Sequence, residues 1–97
     1  MIVNDFSKSG TTATGSWSGT TGYIEGKITC IACKFDTITT TFDISLSDSD
    51  GIKRFSVTGC TGEYVRQVNI AVRGNYTIAI ANASADENFT TKLDIEE

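Results

Sequence analysis

The stretch Val68-Asn69-Ile70-Ala71-Val72-Arg73-Gly74-Asn75-Tyr76-Thr77-Ile78-Ala79-Ile80, with Phe89-Thr90-Thr91-Lys92-Leu93-Asp94-Ile95 after a polar loop, decides the fold. Alternate residues repeat with period two. Val68, Ile70 and Val72 share one face. So do Tyr76, Ile78 and Ile80, and so do Phe89, Thr91, Leu93 and Ile95. This is the pattern of half-buried antiparallel strands. Gly74-Asn75 reads as a tight hairpin turn and Asn82 to Asn88 as a loop. The whole stretch predicts a three-stranded meander at the edge of a β-sandwich.

Working upstream, Phe42, Ile44 and Leu46 alternate with Asp43, Ser45 and Ser47, and Phe55 and Val57 belong to a returning strand. Asp48-Ser49-Asp50-Gly51 is a turn by composition, and Gly59 to Gly62 turns the chain again. From Tyr23 to Phe35 both phases are apolar: Ile24, Ile28, Cys30 and Ala32 on one, Ile31, Cys33 and Phe35 on the other. Such a strand is either covered on both sides or contains a bulge. The turn spacing predicts an all-β, single antiparallel sandwich or jelly-roll-like domain of seven or eight strands.

A chain of 97 residues supports one core. Proline and histidine are absent, and Ser and Thr are abundant, which favours sheet over helix. The net charge is −4, with no clustered basic face, so no nucleic-acid partner is expected. No apolar run approaches the roughly 20 residues that span a bilayer, so no membrane partner is expected either. The segment from Met1 to Phe6 lacks the basic and apolar regions of a signal peptide.

Residues Ser7 to Gly22 are rich in Ser, Thr and Gly, a composition poor at packing a core, and read as a long arm or loop, or as an irregular edge strand leaning on something else. The expected organisation is an N-terminal arm over residues 1–22 and a sandwich domain over residues 23–97. Ile2, Val3, Phe6, Trp17 and Tyr23 are the candidate interaction residues, the first four as anchors of the arm on a neighbouring subunit. Trp17 has two readings: a plug for the end of the sandwich, or an anchor into a partner.

The chemistry-bearing candidates are few. Cys30 and Cys33 form a C-x-x-C, but within a strand rather than at the helix N-terminus that a redox pair uses. Only Cys60 remains to join them, too few ligands for structural zinc. Buried free thiols, or one disulfide from Cys60 to Cys30 or Cys33, are the readings. The Asp48 turn fails as a calcium loop, since Leu46 and Val57 stand where carboxylates belong. The glycosylation-type triplets at Asn75, Asn82 and Asn88 read as turn and strand residues. Without histidine, no catalytic base is recognisable beside a Ser or Thr nucleophile. No enzyme activity, catalytic residue, metal or cofactor is therefore expected.

The segment Gly74 to Ile80, then Asn82-Ala83-Ser84, then Phe89 to Ile95, resembles the final hairpin of small jelly-roll modules. These include accessory (decoration or cement) proteins of tailed-phage virions and bacterial extracellular modules of the pre-peptidase C-terminal type. The resemblance covers about a quarter of the chain and carries over no functional residue. Extracellular modules of this type follow a larger enzyme, whereas this sequence begins at Met1, which favours the virion side. The expectation is a non-enzymatic structural protein of a bacteriophage particle. It would be made in the host cytoplasm, released by lysis, and bound stoichiometrically to capsid or tail subunits as part of an oligomer. The alternative is an extracellular carbohydrate- or protein-binding module, which a row of exposed aromatics from Trp17, Tyr23 and Tyr64 would favour.

Overall fold

The computed structural model describes residues 3–96, with side chains from Phe6 onward. Six strands form: β1 (Val3–Thr12), β2 (Trp17–Phe35), β3 (Thr41–Asp48), β4 (Lys53–Thr61), β5 (Glu63–Ala81) and β6 (Glu87–Glu96). They make one antiparallel sheet in the order β1-β6-β2-β5-β3-β4. A sheet with one apolar face must cover it. Here the sheet covers itself. Residues 27–35 of β2 and 63–71 of β5 pair with each other, and β6 and β1 extend them into a first leaf. Residues 17–25 of β2 and 73–81 of β5 also pair, and β3 and β4 extend these into a second leaf. The leaves face each other. Ile31 and Leu93 of the first meet Ile44, Leu46, Phe55 and Ile78 of the second. The Phe35 and Phe42 rings lie 4.8 Å apart across the gap. The narrowest dimension of the molecule is 19 Å, the thickness of two leaves about 10 Å apart with their outer side chains.

Six strands, rather than seven or eight, arise because β2 and β5 each run unbroken for 19 residues through both leaves. Gly74-Asn75 is therefore not a hairpin turn. Gly74 takes a φ of 124° where β5 passes from one leaf to the other, and the chain continues in the same direction. The expected meander is corrected with it: β6 lies beside β1 and β2, away from β5. The two apolar phases of β2 come from a bulge. Its register shifts between Ile28 and Cys30 against both neighbours. Against β6 the extra residue lies in β2, and against β5 it lies in β5, between Gln67 and Ile70; the shift exchanges the faces of β2, so Ile28 and Ile31 both enter the core at no more than 2% exposure.

The N-terminal segment is not an arm. β1 pairs with β6 from Val3↔Glu96 to Thr12↔Glu87. Residues 3–22 and 23–96 thus share one sheet, and no boundary separates them. Short Ser, Thr and Gly side chains suffice for an edge strand, because β6 already supplies the core residues beneath it. The Ser9 and Thr90 hydroxyls lie 3.0 Å apart, and the Thr11 hydroxyl donates to Asn88 Oδ1 at 2.7 Å. The buried Thr12 hydroxyl donates to the carbonyls of Ser84 and Glu87, tying β1 to the loop before β6.

Asp48 forms the β3–β4 turn expected of it. Its Oδ1 accepts from the amides of Asp50 and Ile52, and its Oδ2 from Arg54. The β4–β5 turn is a single residue, Gly62, which donates to the Thr40 carbonyl and accepts from the Phe35 amide. Gly62 has a φ of 71°, and a Cβ there would fall 2.2 Å from the Ile38 carbonyl oxygen.

Two contrasts test this packing. Ile78→Ala, at a site 2% exposed, should cost about 2–5 kcal/mol, whereas Ile70→Ala, at a half-buried rim position, should cost less than half as much. Denaturant titration measures both. Gly62→Ala meets backbone and Gly22→Ala meets open space, both at positive φ. Gly22→Ala should lose only the roughly 1–2 kcal/mol of left-handed strain, and Gly62→Ala clearly more.

Candidate functional site

The outer face of the first leaf carries side chains from four strands, β1, β6, β2 and β5. Strand register aligns its side chains in rows. Ser9, Thr90, Lys34 and Glu63 lie across β1, β6, β2 and β5, and the next row is Ser7, Lys92, Ala32 and Val65. Lys34 Nζ and Glu63 Oε2 are 4.0 Å apart and both well exposed, a pair of little energetic weight. Ala32 and Val65 form a small apolar strip between the charged groups, with Val65 60% exposed. A hollow of about 330 Å³ lies over this strip, lined by Ala32, Lys34, Glu63, Val65, Thr90 and Lys92. A second hollow of about 370 Å³ begins at Thr90 and runs to Ser9, Thr11, Asp36 and Asn88. Together they make a shallow trough across the leaf, bordered by hydroxyls already fixed by cross-strand hydrogen bonds.

The sequence-chosen interaction residues do not assemble into one site. Ile2 and the side chain of Val3 lie outside the described residues. Phe6 is half-buried and packs against the core of its own chain. Trp17 likewise turns inward. Its ring meets Phe89 edge-on at 4.9 Å and lies so close over Gly10 and Gly19 that a Cβ on either would collide with it. Trp17 closes the end of the sandwich, the first of its two readings. Tyr23 is 61% exposed, far from the trough in sequence register, beside Arg73 and Glu25. The Tyr23 hydroxyl and the Glu25 carboxylate hold the Arg73 guanidinium above its ordinary pKa. Tyr64 points inward, with its ring 6.3 Å from Phe55 and its hydroxyl buried without a partner. The aromatic row of Trp17, Tyr23 and Tyr64 does not form. The trough was missed because its apolar content, Ala32 and Val65, is too small to break the alternation that marks the outer face.

Asp43, Asp48 and Cys33 are committed to structure. Asp43 accepts from Asn82 Nδ2 at 2.6 Å and from the Gly59 amide at 2.9 Å, and these bonds hold its carboxyl below the usual range. The Ile52 amide, with Arg54 and the Asp50 amide, holds Asp48 low as well. Burial, reinforced by nearby Cys60, pushes the Cys33 thiol up to about 12, so it stays protonated and unreactive. All three cysteines are free thiols. Among the described residues no three Cys, Asp or Glu side chains converge as metal ligands.

No family model matches the sequence, and no curated protein matches it significantly. Solved structures do share the fold. PirA superimposes with a TM-score of 0.57 at 13% identity over 94% of both chains. The CBM36-1 domain of a multidomain xylanase from the hindgut metagenome of Trinervitermes trinervoides gives 0.53 at 11%, over 99% of this chain and 98% of that one. Aeromonas hydrophila PliG, a periplasmic inhibitor of g-type lysozyme, gives 0.51 at 10%, over 95% and 85%. At such identities the likeness establishes the β-sandwich and nothing finer. The resemblance to phage accessory proteins is not confirmed by these neighbours.

The lowered carboxyls predict a pH dependence. A group whose folded pKa is depressed contributes stability that is present above its unfolded pKa, near 3.8 for Asp48, and is lost as pH falls through the folded value. Asp48→Asn should flatten the acid limb of a stability-versus-pH curve below about pH 4, leaving the curve above neutrality parallel to wild type. Thermal melts across that range measure it.

Proposed function

We propose that the protein is a non-enzymatic binding module that acts by stoichiometric protein–protein contact, as an accessory or decoration subunit of a virus (bacteriophage) particle. One observation carries this reading: the trough on the first leaf, where an apolar strip of Ala32 and Val65 lies open among short, hydrogen-bonded polar side chains. Side chains already fixed by cross-strand bonds lose little entropy on docking, and an apolar centre within a polar rim is the anatomy of a protein-binding patch. Docking through this face replaces the arm-mediated anchoring expected from the sequence, since Phe6 and Trp17 are spent on the chain's own core.

A second reading, a carbohydrate-binding module, has one observation in its favour. Tyr23 stands exposed beside Arg73 and Glu25, an aromatic face flanked by hydrogen-bonding groups. One experiment separates the two. Purified particles of the encoding phage are assayed for the wild-type protein, Val65→Glu and Tyr23→Ala, and the same proteins are tested for retention on xylan and chitosan. The virion reading expects wild type and Tyr23→Ala on the particle at a fixed ratio, Val65→Glu lost from it though still folded, and no retention on either polysaccharide. Retention on a polysaccharide that Tyr23→Ala abolishes and Val65→Glu spares would overturn it in favour of the second.

A further inference from the structure

Two cysteines enter the core from opposite leaves. Cys33 and Cys60 are both buried there, at 1% and 7% exposure. Cys33 lies in the first leaf, on β2, opposite Tyr64 of β5 and Thr91 of β6. Cys60 lies in the second leaf, near the end of β4, opposite Phe42 of β3. Both are free thiols. Cys30 stands apart. It lies opposite Gln67 and Asp94 on the outer face of the first leaf, half-exposed and outside the core.

Three connections bring Cys33 and Cys60 to one corner of the sandwich. The chain turns at Gly62 between Cys60 and Tyr64, and Tyr64 is the cross-strand neighbour of Cys33. The Phe35 amide donates to the Gly62 carbonyl at 2.8 Å, and these residues stand two positions from Cys33 and from Cys60. Phe35 is the next inward residue after Cys33, and its ring lies 4.8 Å from that of Phe42, the partner of Cys60. After burial, the second cause that raises the Cys33 pKa is the charge of Cys60, an effect that falls off with distance.

We propose that Cys33 and Cys60 are a redox pair that joins in an oxidising medium and staples the first leaf to the second. The oxidant is a low-molecular-weight disulfide such as oxidised glutathione. The Cys33 Sγ–Cys60 Sγ bond forms as the S–S bond of the small disulfide breaks, through a mixed disulfide. The two protein sulfurs are oxidised, and their two hydrogens leave as protons on the two small thiols released. The bond closes a loop that holds all of β3, so it restricts the unfolded chain and raises stability. Burial keeps both thiols protonated, whereas the thiolate is the attacking form. Exchange therefore takes place while the core is open, during folding, and the folded chain keeps the redox state it was given. The inference does not depend on what the trough binds.

The test refolds the full chain from denaturant, either with a reductant or in a mixture of reduced and oxidised glutathione. In the mixture, Cys30→Ser should lose two hydrogens by intact mass. Tryptic peptides 28–34 and 55–66 should be joined to each other in Cys30→Ser and in wild type alike. Cys33→Ser and Cys60→Ser should show no such link. Folded, reduced Cys30→Ser placed in the same mixture should oxidise at least about tenfold more slowly than the refolding chain. The oxidised form should melt above the reduced one. A Cys30→Ser chain that refolds in the mixture without the link overturns the inference. So does a link that persists in Cys33→Ser, which would run through Cys30, or an oxidised form that melts no higher than the reduced one.

Discussion

The pairing of β2 with β5 is the interaction on which the rest of the structure depends. The two strands run antiparallel through both leaves, from Trp17↔Ile80 at one end to Lys34↔Glu63 at the other. Each leaf is built outward from its half of this pair. The crossing lets a chain of 97 residues enclose a core without a separate second sheet or a covering helix. It also places the irregular residues. Gly22, Gly26 and Gly74 adopt positive φ along the bend, and the bulge near Thr29 turns the second apolar phase of β2 toward the same interior. A strand that twists this far cannot keep a regular ladder, and glycine and bulges absorb the difference.

Polar side chains secure the ends of this bent pair. Thr12 ties the start of the sheet to the loop before β6, Asp43 ties β3 to Asn82 and Gly59, and Asp48 shapes its own turn. Carboxylates used in this way are held ionised by their donors. A general acid or base at neutral pH needs the opposite tuning, so these groups are suited to holding loops. Cys33 stands at the other extreme, buried among apolar side chains and kept as a thiol. What remains for interaction is surface: the trough of the first leaf and the exposed Tyr23.

Much of the interior was legible in the sequence. Phe42, Ile44, Leu46, Val72, Tyr76, Ile78, Ile80, Leu93 and Ile95 all belong to the core that their alternation predicts, each no more than 4% exposed. The Asp48 turn was legible too, because an Asx side chain closes such a turn through its own neighbours. The trough was not, since it joins residues from four strands whose order in the sheet no local pattern encodes. Val68 and Ile70 show the limit at the core itself: their phase matches that of Val72, but their strand stands at an edge.

The division follows the range of the forces. Period-two alternation, Thr-rich composition and turn chemistry act over a few residues, so the sequence by itself determined an all-β chain and the inward faces of its strands. Whether a glycine ends a strand or only bends it depends on what lies beyond. Gly74-Asn75 has the composition of a hairpin turn, yet β5 passes through it because β2 and β3 pair on either side of the continuing strand. The Ser/Thr/Gly segment has too little apolar content to order itself, yet β1 is ordered by the ladder that β6 offers. In both places pairing with a partner distant in sequence outweighs local preference, and only the tertiary structure supplies that partner.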